Sequence, residues 1–501
     1  MANDPRKTRE RETRERAAQL AGQMSRRALL GSGVGLGWLA LSDLQGRAFA
    51  QGAAAGGGAA VDLGVMTAPN IPARAKRVVS IQMCGAVSQV DTFDYKPTLI
   101  ERHGEEIPPS VKNAGGRISA MSNGQTSFPL VQPIAPFRQY GESGKWVSDL
   151  FPFVGSIADD LTFIHTLQTE HVNHNPASMF LHTGFQLSGR PSAGAWVNYA
   201  LGSDNANMPS FVVMKSQHQS SGVSADGGFW GSGFLPSHHQ GVELRAGADP
   251  VLFIQNPDGM SRAARRSELD AIGELAAAQY ELSGDPEILS KVAQYEMAYR
   301  MQESMPEVAD LSDEPDHILD LYGPEVRKPG TFARNCLLTR RLIERGVKFV
   351  QLVQIGWDHH SKITERHPPD CMAVDQPSAA LVVDLKQRGL LDDTLVMWGS
   401  EFGRTSYAQG RINDIEMMGR DHHGNAFTFW MAGGGLKPGY SHGLTDDFSY
   451  NVLEKPQTIH DLHATMMHLL GIDHTALTYH FQGRDFRLTD VHGDVIHDMI
   501  A

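Results

Sequence analysis

Four runs of apolar residues stand out along the chain, and each is followed by polar residues that can bind ligands. They cover residues 77–83, 161–167, 347–355 and 394–400. Continuous apolar runs of this length are typical of strands buried on both faces of a parallel sheet. The pattern therefore predicts four central strands with polar loops at their carboxyl ends.

Helical patterns lead into two of these runs, at residues 332–346 and 379–393. Alternation of helices and strands is typical of βαβ units. We therefore expect an α/β fold with a doubly wound, mostly parallel sheet flanked by helices, in which ligands bind beyond the carboxyl ends of the strands. Residues 185–265 are rich in Gly, Ser, Pro and His, and we interpret them as a long cap insertion.

The N-terminal segment has the features of a twin-arginine secretion signal. Arg26 and Arg27 precede a Gly-rich apolar stretch, and Ala-Phe-Ala at 48–50 supplies a small-residue cleavage site. The apolar stretch is too short for a stable membrane span; the alternative is a buried amphipathic helix. The prediction is a signal over residues 1–50, a flexible linker over 51–74 and the α/β domain over 75–492. The twin-arginine translocase would export the protein to the periplasm or beyond.

Composition excludes some classes of partner and framework. The 501 residues carry a formal net charge of −13, which argues against nucleic-acid binding because phosphate backbones require a basic face. Three cysteines leave one over in any pairing, so they do not predict a disulfide framework.

Carboxylates and imidazoles cluster after the third and fourth apolar runs. The residues are Asp358, His359, His360, Glu401, Asp421, His422 and His423. This ligand mixture suits Zn²⁺, Mn²⁺ or Fe²⁺ better than Ca²⁺. An Asp-His pair in a loop often forms only a hydrogen-bonded turn, but two such clusters beyond strands of one sheet favour a metal site. We expect one or two divalent ions, Zn or Mn.

Other polar residues allow two or more interpretations each. Asp91 can bind metal or cap a turn, and His174 can bind metal, contact a substrate oxyanion or hold its loop. Arg404 can clamp an anionic group with two hydrogen bonds or form a surface salt bridge. His463 and His468 lie on an amphipathic pattern and are interpreted as structural.

The order of these pieces resembles the alkaline-phosphatase-like superfamily and, in detail, the bacterial "domain of unknown function 1501" family, often labelled sulfatase-like. Besides the twin-arginine start, the matching stretches are QMCGAVSQVDTFDYKP, HVNHNPASMFLHTG, GRPSAGAWVNYALGS, GWDHH, GSEFGRT, GRDHHGNAFTFWMAGGG and DLHATMMHLLGID. Together they cover almost all of residues 75–492.

The resemblance implies a two-metal hydrolase of phosphate or sulfate esters, with a small-molecule or glycan substrate. One metal would be held by Asp358, His360 and His422, and the other by Asp91 and Glu401. The chain departs from the superfamily because Phe402 follows Glu401 where a histidine is usual.

The resemblance also places a nucleophile at a helix start after the second strand, where His174 and Ser178 occur. Ser178 is the best-placed hydroxyl and Thr169 a weaker choice. If neither acts, water would attack directly.

Three hypotheses follow. The leading one is an exported metal-dependent ester hydrolase with His174, Ser178 and Arg404 at the reacting centre. The second is a non-catalytic exported binding or assembly protein that retains one metal on the same fold. The third, a metal-dependent amidase or peptidase, is weakened by the absence of a His-Glu-x-x-His motif.

Overall fold

The computed structural model describes residues 64–66, 68–114, 120–217, 225–245, 256–410, 412 and 417–501. The strands within these ranges are β1 (Arg77–Cys84), β2 (Phe137–Tyr140), β3 (Lys145–Ser148), β4 (Leu161–Gln168), β5 (Phe211–Gln217), β6 (Val242–Leu244), β7 (Phe349–Ile355), β8 (Thr394–Gly399), β9 (Gly403–Gln409), β10 (Gly419–His423), β11 (Phe427–Ala432), β12 (Ser441–His442), β13 (Leu444–Thr445), β14 (Val452–Glu454), β15 (Gln457–Thr458), β16 (Tyr479–Phe481) and β17 (Arg484–Phe486).

The α-helices in the same ranges connect or flank these strands. They are α1 (Gln89–Thr92), α2 (Pro97–Glu101), α3 (Pro109–Lys112), α4 (Pro152–Ser156), α5 (His174–Thr183), α6 (Ala193–Leu201), α7 (Arg262–Ser283), α8 (Pro286–Ala309), α9 (Asp316–Tyr322), α10 (Phe332–Glu344), α11 (Ile363–Gln387) and α12 (Ile459–Leu469).

Nine of the described strands form one central sheet, in the order β12-β4-β11-β8-β1-β7-β5-β6, with β15 also paired to β4. Neighbouring strands are parallel except at β11, which runs antiparallel to both β4 and β8. The carboxyl ends of β1, β4, β7 and β8 therefore lie along the same edge of the sheet. This edge is where a ligand site is expected.

Alternate residues of the central strands enter two separate hydrophobic layers. In β1, Val79 and Ile81 pack with helices α10 and α11, whereas Val78 belongs to the layer of α5, α6 and α12. Helices therefore cover both faces of the strand, and its apolar side chains are buried on either side. The prediction of a doubly wound, mostly parallel sheet flanked by helices is confirmed.

The four predicted strands correspond to β1, β4, β7 and β8, each within two residues of its predicted bounds. The predicted helix at 332–346 is α10. The helical pattern at 379–393 is the second half of α11, which begins at Ile363 and contains Pro368, Pro369 and Pro377. Prolines usually end helices, and for this reason the pattern did not reveal the first half.

The segment interpreted as a cap, residues 185–265, contributes to the main architecture. It contains α6, which packs on the sheet, and strands β5 and β6, which extend the sheet beyond β7 by parallel pairing. These parts of the segment are therefore layers of the central fold.

Residues 1–50, the predicted signal, and residues 51–63 of the predicted linker lie outside the described residues. No helix in the described ranges is both long enough and apolar enough to cross a membrane. The three cysteines are buried free thiols.

Candidate metal centre

Four side chains from three segments converge at the carboxyl edge of the sheet. His174 is the first residue of α5, which follows β4; Asp358 and His360 lie in the loop after β7; and His422 lies in β10, which pairs with β9 beyond β8. One donor atom from each lies within 4.8 Å of the others. We call these four residues the ligand cluster.

The three histidines of the cluster present the same atom to one carboxylate oxygen. Their Nε2 atoms lie 3.1 Å (His174), 2.9 Å (His360) and 3.3 Å (His422) from Asp358 Oδ1. Asp358 and His360 are partly accessible, with side-chain exposures of 18% and 21%, so the cluster opens toward solvent.

The Nδ1 atom of each histidine lies at hydrogen-bond distance from an acceptor. The pairs are His174 with Glu401 Oε1 (2.7 Å), His360 with Gln409 Oε1 (2.6 Å) and His422 with the carbonyl oxygen of Val172 (2.6 Å). These oxygens accept, so a neutral imidazole carries its proton on Nδ1 and turns an Nε2 lone pair toward Asp358. Histidines that bind metals are commonly oriented in this way.

The protonation of the cluster in the metal-free chain is uneven. Burial lowers the pKa of His422 to about 4, so this imidazole is neutral at pH 7. Burial also acts to lower the pKa of His174, but its contacts with the carboxylates of Asp358 and Glu401 outweigh burial and raise it. Burial alone would raise the pKa of Asp358, yet its close contacts with the three histidines and the charge of Arg404 hold it well below its usual range.

The donor set fits a divalent cation. Protonation of the rings satisfies only some of the contacts with Asp358. The Nε2 lone pair of neutral His422 still faces the carboxylate, and the buried Nε2 of His174 makes no well-formed hydrogen bond. Three imidazole nitrogens and one carboxylate oxygen are ligands that suit Zn²⁺ and related transition-metal ions. The described residues contain one group of this kind.

Arg404 lies beneath the cluster and is 1% exposed. Its Nη2 donates to Asp358 Oδ1 (2.7 Å), and its remaining hydrogen bonds go to carbonyl oxygens. These belong to Gly85, Ala86, Trp357 and Arg420. The guanidinium therefore ties the loops after β1 and β7 to β10 and neutralises Asp358. The predicted role as a clamp for an anionic substrate is corrected, because the group is buried and engaged with the protein.

A glycine allows this close approach of the loops. Gly85 has a φ of +117°, and a Cβ there would lie 2.7 Å from the backbone nitrogen of Asp358. Its N–H also donates to Glu401 Oε1 (2.9 Å). A side chain at this position would push the loop after β1 away from the loop that carries Asp358 and His360.

Three residues predicted as ligands lie outside the cluster. Glu401 is fully buried. It accepts from Nδ1 of His174, as described above, and from Gln82 Nε2 (3.2 Å). Asp91 is fully buried and forms a two-bond ion pair with Arg420. Asp421 accepts from its neighbour's backbone N–H and from the Ser122 hydroxyl. Protein donors hold these three carboxylates outside the group of converging atoms, which corrects the prediction of direct ligation.

The predicted nucleophile Ser178 lies one turn into α5 and is completely buried. Its hydroxyl accepts from Gln82 Nε2 (2.9 Å). The side-chain oxygen of Gln82, Oε1, in turn contacts His182 Nε2 (2.6 Å). A substrate cannot reach this hydroxyl, so the prediction of a reacting serine is corrected. His174 occupies the helix start where the family resemblance places the nucleophile.

Two features of the centre had no clear signal in the sequence. Ligation by His174 is one of three interpretations that the sequence allows, and its position after the second apolar run is the signal for it. The orienting acceptors Gln409 and the carbonyl of Val172 belong to other segments of the chain, and neither residue type marks such a role.

A protein-family model described as "Protein of unknown function (DUF1501)" matches residues 75–500. The chain belongs to the DUF1501 family. No curated protein sequence matches this DUF1501 chain.

Among solved structures, the DUF1501 chain is similar to Ps i-CgsB, with 11% identity, 80% of this chain and 72% of that chain covered, and a TM-score of 0.33. It is also similar to the PsFucS1 sulfatase from Pseudoalteromonas sp., with 12% identity, coverage of 80% and 68%, and a TM-score of 0.30. A third is the alkaline phosphatase from the Antarctic bacterium TAB5, with 10% identity, coverage of 72% and 92%, and a TM-score of 0.27. Similarities this weak support no conclusion about activity.

Proposed function

We propose that this DUF1501 protein is an exported metal-dependent hydrolase of phosphate or sulfate esters, with one divalent cation in the ligand cluster. The observation that carries the proposal is the convergence of three imidazole Nε2 atoms on Asp358 Oδ1, each ring being fixed by an acceptor at Nδ1. Zn²⁺ or Mn²⁺ fits this donor set.

When bound, such a cation polarises an ester oxygen and makes water a stronger nucleophile at neutral pH. The chain's own residues hold and orient the ligands: Glu401 and Gln409 fix two of the rings, and Arg404 keeps Asp358 ionised. With Ser178 buried, no serine ester intermediate forms, and the attacking group is water. The partly exposed face of the cluster is the side from which a substrate approaches.

The ester specificity rests on the resemblance to the alkaline-phosphatase-like superfamily. That resemblance predicts Asp358, His360 and His422 as ligands of one metal, and these are three of the four residues whose donor atoms converge. An amidase or peptidase would use the same cation, so peptide substrates belong in the first activity screen.

The test combines metal analysis with a substrate panel. Wild type and Asp358→Ala would be purified without added metal or chelator, and assayed with aryl phosphates, aryl sulfates and peptides. We expect about one equivalent of Zn or Mn in wild type, none in the variant, and ester hydrolysis only in wild type. Wild type without metal, or turnover unchanged in Asp358→Ala, would contradict the proposal.

A second candidate is a non-catalytic exported binding or assembly protein that keeps one metal. The burial of Ser178 and the engagement of Arg404 with the protein favour it, since both groups were expected to act on a substrate. Stoichiometric metal with no turnover of any ester or peptide would support this candidate over the hydrolase.

Export is proposed from the sequence alone. We expect the protein in the periplasmic or secreted fraction, and we expect Arg26→Lys combined with Arg27→Lys to retain it in the cytoplasm, because the twin-arginine pair is read by the translocase. Fractionation with an antibody against the folded domain measures this. An unchanged distribution of the double variant would reject the twin-arginine route.

A further inference from the structure

The residues next to the ligands in the sequence point away from the metal centre. His359 lies between Asp358 and His360, and Arg420 lies two residues before His422. Both side chains are buried, at 3% and 0% exposure. Each makes a defined contact with a different helix.

His359 is held by α11. Its Nε2 lies 2.9 Å from Asp370 Oδ2, and its Nδ1 lies 3.2 Å from Nδ1 of His367. Because Asp370 is an acceptor, Nε2 of His359 carries the proton and Nδ1 accepts from His367. Two buried side chains of one helix therefore fix the ring orientation of His359, and with it the peptide units on either side.

Arg420 is held by α1. Its Nε and Nη2 donate to the two carboxylate oxygens of Asp91, at 2.7 and 2.9 Å. Such a fork fixes direction as well as distance. The pairing of β10 with β9 shifts register between Arg420 and His422, and a bulge of this kind re-aims side chains. Arg420 can thus point at α1 while His422 points at Asp358.

The two pairs are also joined to each other. The backbone N–H of Arg420 donates to the carbonyl oxygen of His359 (3.3 Å). The loop that carries Asp358 and the strand that carries His422 therefore share one hydrogen bond between their anchored residues. A shift of either anchor would move ligands from both segments.

We propose that His359–Asp370 and Arg420–Asp91 are positioning pairs, whose function is to hold the ligand cluster in its converged arrangement without touching the metal. The role of Asp91 is then to fix β10, and its charge is matched by Arg420. Residues that orient metal ligands commonly change metal affinity 10–100-fold when they are altered. The inference rests on the proposed metal site and is independent of the ester chemistry.

The test compares two breaking variants with a matched control. Asp370→Leu removes the acceptor for His359, and Arg420→Lys keeps the charge while removing the fork. Asp375→Leu is the control: Asp375 lies on the same helix, is equally buried, and accepts from Phe153 N and Val154 N, away from the centre. The dissociation constant for Zn²⁺ would be measured by competition with a chelator, and urea unfolding of the metal-free proteins would be followed in parallel.

We expect Asp370→Leu and Arg420→Lys to weaken Zn²⁺ binding 10–100-fold, and Asp375→Leu to leave it within twofold while lowering the free energy of unfolding. Asp370→Asn keeps an acceptor and is expected to recover most of the affinity. Zn²⁺ affinity within twofold of wild type in both breaking variants, or an equal loss in Asp375→Leu, would overturn the inference. Should Asp370→Leu not fold, Arg420→Lys decides, and Zn²⁺ affinity within twofold of wild type in that variant would overturn the inference.

The outcomes separate this inference from the proposed function. Wild type that binds no Zn²⁺ would overturn both. Wild type that binds Zn²⁺ but hydrolyses no ester would remove the proposed function, whereas the affinities of the variants would still support or overturn the positioning pairs.

Discussion

Two groups of three histidines in this molecule use their Nε2 atoms in opposite ways. In the ligand cluster, three rings turn Nε2 toward one carboxylate oxygen and donate from Nδ1. In a second group, which we call the interior histidines, His182, His460 and His463 each place Nε2 at a protein oxygen. Those oxygens belong to Gln82 (2.6 Å), Gly184 (3.0 Å) and Leu181 (2.8 Å).

The difference shows what makes a metal site out of histidines. The interior histidines use their N–H groups to satisfy one oxygen of β1 and two carbonyl oxygens at the C-terminal end of α5, so burial leaves them as neutral structural donors. The ligand cluster collects lone pairs and a negative charge at one point, an arrangement that a bound cation would stabilise. Convergence, rather than the number of histidines, distinguishes the two groups.

The largest expected effect comes from comparing one alanine substitution in each group. His422→Ala should weaken Zn²⁺ binding more than 100-fold, beyond the range for residues that only orient ligands. His463→Ala should leave Zn²⁺ affinity unchanged and instead lower the free energy of unfolding by about 2 kcal/mol, through a buried carbonyl left unpaired. Chelator competition and urea unfolding measure the two quantities. Equal Zn²⁺ affinities would erase the distinction.

Acid is expected to lower the free energy of unfolding by protonating the interior histidines in the unfolded chain. Burial lowers the pKa of His182 and of His463 to about 3, while an unfolded histidine titrates near 6.5. Between these values the unfolded chain binds more protons, so stability falls as pH drops below about 6.5. The loss is about 2 kcal/mol for each of the two histidines at pH 5.

Urea unfolding of metal-free protein at pH 5 and pH 7.5 checks this expectation. His463→Gln should show a smaller difference between the two pH values than wild type, because one titrating group is gone. A difference that is unchanged in this variant would show that His463 does not contribute to acid sensitivity.

The acceptors behind the ligand cluster should have a smaller effect on metal binding than the ligands. Gln409→Leu removes the oxygen that holds Nδ1 of His360, and we expect Zn²⁺ affinity to fall about tenfold. Gln409→Glu keeps an acceptor and should retain wild-type affinity or exceed it. If Gln409→Leu and Gln409→Glu bind Zn²⁺ equally well, the ring orientation does not depend on this contact.

The smallest effect is expected at Ser178. Ser178→Ala should leave ester turnover within a few-fold of wild type and cost about 1 kcal/mol of stability, because Gln82 loses one hydrogen-bond acceptor. Steady-state kinetics and urea unfolding measure both. Abolished turnover in a folded variant would restore the serine as a nucleophile and would remove the proposed direct attack by water.

Much of the sheet could be predicted because its strands are local patterns. The strands β1, β4, β7 and β8 can each be recognised from a run of consecutive apolar residues. The polar residues after these runs indicate the edge that carries the site. The antiparallel place of β11 between β4 and β8 could not be predicted, since pairing joins segments that are distant in the chain. The prolines within α11 likewise concealed the start of that helix.

The ligand cluster was predictable only in part. Asp358, His360 and His422 were expected as ligands from their positions after strands and from the family resemblance, and they converge. His359 and His360 are neighbours of the same type, yet one ring anchors the loop in the interior and the other faces Asp358. No local property of the sequence separates them.

The sequence by itself determined the apolar periodicity, the α/β layers and the region where ligands collect, because these depend on residues close together in the chain. The tertiary structure alone decided which carboxylates are free to bind a cation. Asp91 meets Arg420, and Glu401 meets His174, across separations of more than two hundred residues. Asp91 and Glu401 are held by these contacts outside the ligand cluster, and only the folded chain shows which partners meet.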